Sequence, residues 1–318
     1  MSDIVETIEE CNRYARNKGD LLSIKGFLYP HNIVTFAAYL KSNQIKKENV
    51  KIICTKADIS SYLDTVGFNK VVWGEEIHNH RHSHGKNYSP LVLLENEESV
   101  DESTNYINSC ILHLAESDKN GAQDLCEIVG ELTDNVWSHG EAMGFSMAQK
   151  YAGNINFALA DCGKGFYQEL KSANIPNINN HIDALEWCIK PGNSSKKVKQ
   201  ENEDSFLQRL PPDCIGNPMP GIAKYKSDNN HEGFGLAKLI NLLTKYKGEI
   251  NIISGDAKLV VSSLKGDFPQ QEISSIAPNF WKGVIINCGI DPRPLRRGNL
   301  DSEIELNNVL KNIVCNAK

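Results

Sequence analysis

Three short clusters of residues, far apart in a chain of 318, have types and spacings that can do chemistry together. In the segment CEIVGELTDNVWSHG, the polar residues Glu127, Glu131, Asn135 and His139 stand four apart. On a helix this spacing stacks them a turn above one another, opposite the apolar Leu125, Ile128, Val129, Leu132 and Val136. Taken alone, the stripe reads better as the solvated face of an ordinary helix than as a site. Asp161 follows the apolar run INFALA and precedes Cys162, Gly163, Lys164 and Gly165. An acid where a buried strand runs out can accept from an amino group, and two alternate glycines let a ligand lie against bare backbone. The same D-x-G-x-G also serves as a plain strand-to-loop turn. In EGFGLAKLINLL, Gly233 and Gly235 stand at the start of a helix whose core side carries Leu236, Leu239, Ile240 and Leu243. Glycines at that position free backbone N–H groups to receive phosphates.

Elements of both periods are needed to hold these clusters. From Leu21 to Lys70 the pattern runs strand (LLSIKGFLY), helix (NIVTFAAYLKSN), strand (VKIICT), helix (ISSYLDTVGF), which implies an α/β layer. The polar stretch HNHRHSHGKNYSP cannot bury a core face and reads as a hinge, so a first domain is expected over residues 1–95. Residues 101–140 read as two helices broken near Lys119 to Gly121, and YAGNINFALAD as a strand. Between Asn174 and Asp228, inside an expected lid over about 166–232, the chain is rich in Asn, Pro, Ser and charge, with one clear helix around IDALEWCI. A stretch this long with so little regular structure predicts a lid. A helix over Phe234 to Tyr246, the strands EINIIS, KLVVSS and GVIINC, and a helical tail over 296–318 complete the expectation.

The three clusters in this order resemble the GHKL superfamily of ATPases, which includes gyrase, heat-shock chaperones, histidine kinases and MutL. The likeness covers roughly Asp101 to Asp291. It is carried by ELTDNVWSH, DCGKG and EGFGL. The resemblance implies a Bergerat-type two-layer α/β sandwich over residues 101–295 that binds ATP and Mg²⁺. In it Glu131 would orient or deprotonate the nucleophile, Asn135 would hold the metal, and Asp161 would take the adenine amino group. Gly163, Gly165, Gly233, Phe234, Gly235 and Leu236 would line the nucleotide, His231 would add an imidazole to the phosphate loop, and His139 and Lys164 read either as phosphate contacts or as plain surface residues. PGNSSKK, IISGDAKLVV and WKGVIINC, with YPHNIVTFAAYL and SSYLDTVGF in the first domain, are similar to bacterial proteins in which a STAS-like domain precedes the ATP domain. That likeness implies a cytoplasmic regulatory protein with a protein partner or a homodimer, and slow ATP hydrolysis or phosphotransfer to serine or threonine. Catalytically silent nucleotide sensing is the alternative.

Three departures stand out. His231 replaces a glycine that usually opens the last cluster, Val284 follows Gly283 where threonine is common, and Pro30, His31 and Asn32 stand where STAS-like antagonists offer a serine. No phosphoacceptor helix precedes the ATP region, which argues against a sensor kinase.

The composition fits this expectation. A hydrophobic content of 40% and a charged content of 23% are those of a folded chain, and the net charge of −6 disfavours nucleic-acid binding by bulk electrostatics. The apolar runs are too short for a membrane span, and the nine cysteines form no C-x-x-C pair, so reduced core thiols are expected. His78, His80, His82 and His84 alternate as metal ligands would on a strand, but Gly85, Asn87 and Pro90 mark a loop. Arg293, Arg296 and Arg297 read as a solvated turn, and Lys196, Lys197 and Lys199 as charges within the expected lid.

Overall fold

The computed structural model describes residues 4–17, 22–24, 28–54, 57–75, 87–114, 119–140, 143–151, 154–193, 235–245, 248–263 and 269–291. The fold is mixed α/β. Its first part carries α1 (Ile4–Arg16), β1 (Leu22–Ile24), α2 (Pro30–Ser42), β2 (Ile52–Cys54), α3 (Ala57–Thr65), α4 (Phe68–Trp73) and β3 (Val92–Leu94). There follow α5 (Glu97–Leu114), α6 (Lys119–Gly140), β4 (Gly144–Tyr151), β5 (Asn154–Asp161), α7 (Gly165–Ser172) and α8 (His181–Cys188). The last part holds α9 (Gly235–Lys245), β6 (Glu249–Gly255), β7 (Ala257–Ser262), β8 (Gln270–Ser275) and β9 (Trp281–Ile290). Among the described residues, no helix is long and apolar enough to cross a membrane.

Seven strands form one antiparallel sheet in the order β3-β4-β5-β9-β6-β7-β8. Strands β5, β9 and β6 lie at its centre and are apolar on both faces. Alternate residues therefore feed two separate cores. On one face Ile155, Phe157, Leu159, Ile252 and Ile286 meet Ile107 of α5, Leu125, Val129 and Leu132 of α6, and Leu239 and Leu243 of α9. On the other, Phe145, Met147, Ala158, Ala160, Ile253 and Ile285 meet Ile8 of α1 and Ile33, Val34 and Ala37 of α2. Each of the larger of these side chains, the fully buried Ile, Leu, Val, Phe and Met, contributes roughly 1.5–3 kcal/mol.

Residues 1–95, expected as a separate unit, supply this second covering layer, and β3 forms the edge of the large sheet beside β4. The short β1 and β2 pair in parallel as a two-stranded sheet. Pro30, His31 and Asn32 open α2, with His31 and Asn32 buried and Asn32 Nδ2 donating to Thr7 Oγ1 at 2.7 Å.

Two sequence expectations need correcting. The helical break does not fall at Lys119 to Gly121, which belong to the first turn of α6. The segment expected to act as a lid from about residue 166 begins as packed structure. Helices α7 and α8 share an apolar cluster of Leu170, Ala173, Ile175, Ile178 and Ala184, and Asn180 caps α8 by accepting from the Asp183 N–H at 2.9 Å. The remainder of that segment, residues 194–234, lies outside the described residues, as do the histidine tract and the tail.

Candidate functional site

Helix α6 buries Leu125, Ile128, Val129, Leu132 and Val136, as their spacing predicts, and leaves Glu131 and Asn135 half-buried while Glu127 is exposed. Val136 docks on β4 at Gly144, where a Cβ would come within 2.3 Å of the valine Cγ1. Gly144 is in turn the register partner of Asp161 on β5. Close packing at this point sets the Asn135 turn of α6 against the end of the strand that carries the acid. His139 lies one turn further along α6, and its side chain is outside the described residues.

Asp161 is the last residue of β5 and only 7% exposed. Burial pushes its carboxyl up to about 6 from an ordinary 3.8, because the ionised form loses water. Backbone N–H groups of Gly163 and Val284 donate to the carboxylate and pull the other way, the former at 2.8 Å. The donor at Val284 is main chain, so valine in place of threonine leaves this bond untouched.

The backbone around Asp161 is fixed just as closely. Trp281 Nε1 donates to the Asp161 carbonyl at 2.8 Å, inside the core. Gly283 has φ +109, and a Cβ there would sit 2.3 Å from the Asp161 carbonyl oxygen and 2.6 Å from Oδ1. Only glycine lets β9 approach the acid so closely. Gly165 also has positive φ, +68, but its missing Cβ makes room for Ser254 Oγ and the Gly283 carbonyl, not for a ligand. Ser254 Oγ accepts from the Phe166 N–H at 3.0 Å, tying the start of α7 to β6. The second glycine of DCGKG thus has a folding reason that its sequence motif does not reveal.

Behind this loop stands the N-terminal layer. Cys162 is pushed up to about 11 by burial and packs against the core that includes α1 and α2.

The third cluster is described from Gly235 onward. Gly235 opens α9, and Leu236 is half-buried against the core. His231, Gly233 and Phe234 are outside the described residues. Helix α9 packs beside α6, and Lys238 Nζ reaches Glu131 Oε1 at 2.9 Å. The structure thus joins the first and third clusters directly, while Gly144 and Val136 join the first to the second.

No protein-family model matches the chain, and no curated protein matches its sequence.

Four residues of this site were missed or undervalued in the sequence: Lys238, Ser254, Trp281 and Gly283. One signal was available for Lys238. A cation in the first turn of a helix opposes the macrodipole, so a lysine there calls for an anionic partner. The arrangement brings together a buried acceptor poised between charged and neutral, a carboxylate beside an ammonium, an amide one turn away, and a helix start. Such a set can bind a molecule that has an amino-bearing ring at one end and an anion at the other.

Proposed function

We propose that this chain is an Mg-ATP-binding regulatory protein of the GHKL type, with slow ATP hydrolysis or phosphotransfer to a partner protein. The observation that carries the reading is Asp161. A carboxylate this buried costs free energy when ionised, and among the described residues its hydrogen bonds come from the backbone, which leaves acceptor capacity for a ligand's amino group. Adenine offers that group.

In this reading α9 receives the phosphates at its start and Asn135 provides an oxygen for the metal. Asn135 would be among the residues that hold Mg²⁺, which when bound would supply charge neutralisation to the phosphates. Glu131 orients the nucleophile. The regulatory part of the reading is supported by the N-terminal layer, whose core packs against the Asp161 loop at Cys162. Nucleotide-dependent movement of that loop would be felt in α2.

The test is titration of the full chain with ATP, with and without Mg²⁺, followed by incubation with γ-labelled ATP. Label appearing as free phosphate means hydrolysis, label on protein means transfer, and Glu131→Gln should abolish either while ATP still binds. A chain that binds no adenine nucleotide refutes the proposal. Nucleotide sensing without turnover is favoured by one observation, the engagement of Glu131 by Lys238. It predicts bound ATP recovered intact.

A further inference from the structure

Lys238 is the fourth residue of α9, in its first turn, and that turn contains no acidic residue. Helical side chains lean back toward the N-terminus, so from this position an ammonium can reach the start of the helix. It gains nothing there from the macrodipole, which favours anions. Its recorded partner is Glu131 on the neighbouring helix, at 2.9 Å, and both side chains are open to solvent, with 52% and 33% of their surfaces exposed. A pair this exposed holds weakly and exchanges readily.

Resting on the ATP reading above, we infer that Lys238 is the residue by which the site tells ATP from ADP. In the nucleotide-free chain the ammonium is held by Glu131. A terminal phosphate at the start of α9 competes for the same ammonium with more charge than a single carboxylate. Lys238 then leaves Glu131 and turns to the phosphate, and the carboxylate is freed to orient a nucleophile. One lysine thereby makes release of the carboxylate conditional on the third phosphate. An ADP-bound chain keeps the pair closed.

The experiment is calorimetric titration of the full chain and of Lys238→Met, Lys238→Arg and Glu131→Gln with ATP and with ADP, each with Mg²⁺. Lys238→Met should weaken ATP about tenfold, the loss of one charge-assisted phosphate contact, and change ADP less than about twofold. Lys238→Arg should retain most of the preference for ATP. Glu131→Gln removes the competitor and should tighten ATP by about threefold, an effect that vanishes when Lys238→Met is added. A merely structural bridge between α6 and α9 would move ATP and ADP together. An ATP-to-ADP ratio unmoved by Lys238→Met overturns the role of the lysine alone. A parent chain that binds neither nucleotide overturns the ATP reading and this inference with it.

Discussion

Replacing Asp161 by asparagine separates the cost of this residue to the fold from its use to a ligand. The two side chains have nearly the same shape, so the cavity is unchanged. What changes is charge. The native carboxyl titrates at about 6 where the unperturbed value is 3.8, a gap of about two units, or roughly 3 kcal/mol against the ionised form at neutral pH. The sign follows from proton counts. Between these two values the native state holds more proton than the unfolded state, so stability falls as pH rises through this window and stays low above it. Asparagine resembles the protonated acid and escapes the penalty. Its amide N–H groups need acceptors, and leaving one unpaired in the core costs about 1–3 kcal/mol. The expected net effect at pH 7.5 is a variant as stable as the parent or up to about 2 kcal/mol more stable, a rise of roughly 2 to 4 °C per kcal/mol. Toward pH 4 the parent is protonated and its penalty disappears while the unpaired amide remains, so the variant should become less stable than the parent by up to about 2 kcal/mol.

For the ligand the consequence is opposite. The Gly163 N–H keeps one side-chain oxygen occupied, and asparagine presents a donor where the second oxygen stood. An adenine amino group then faces a donor, which should weaken ATP by about ten- to a hundredfold. Thermal melts from pH 4 to 8, set beside nucleotide titration of the same samples, read both effects. A variant that is destabilised by several kcal/mol and binds ATP as the parent does would refute the reasoning. Asp161 would then be a structural acid and nothing more.

Other substitutions probe the same frame. Adenosine, which carries no titrating phosphate, should bind progressively more weakly below pH 6, approaching tenfold per unit, because binding needs the carboxylate; fluorescence titration across pH 5 to 8 checks this. Gly283→Ala should cost at least about 2 kcal/mol in a denaturant melt and abolish adenosine binding, since the new methyl collides with the Asp161 main chain at a φ that alanine resists. Trp281→Phe loses one buried hydrogen bond to the Asp161 carbonyl and should cost about 1–3 kcal/mol, read from the same melts. Asn135→Ala should leave metal-free ATP binding near the parent value and remove the gain from added Mg²⁺, measured by titration with and without EDTA.

The parts of this molecule that could be read in the sequence are those where one physical demand dominates a segment. The apolar stripe of α6 and the run of β5 each face a core, and their patterns say so. Strands β4 and β8 were not anticipated, for opposite reasons. GFSMAQKY is buried along most of its length on both faces, with small and polar residues filling positions where alternation would show, and Ser146 meets Ser103 there by a hydroxyl contact. QQEISS is an edge strand largely open to solvent, so nothing selects apolar residues on either side. The covering of the second sheet face by α1 and α2 was equally hidden. A helix packed on a sheet of its own unit and one packed on the next unit's sheet carry the same stripe.

The candidate site divides along the same line. Residue types proposed to act on a ligand stand out in the sequence because chemistry restricts them: an acid after a strand, a carboxylate and an amide one turn apart, glycines before a helix. Residues that hold those groups in place were not, because their task is set by neighbours distant in sequence. Gly283 is required by Asp161, which precedes it by more than a hundred residues, and Ser254 by the backbone of Phe166. These contacts explain why a carboxyl with a folding penalty stays where it is. Val284 and Gly163 donate to its oxygens, Trp281 donates to its carbonyl, and Gly283 closes over both. With every escape of the side chain blocked by main chain, the remaining way to lower its free energy is to gain a proton or a donor from outside. Asparagine would hold this position at neutral pH with no expected loss of stability, so the fold alone does not call for the acid, and that is the argument for assigning Asp161 to a ligand.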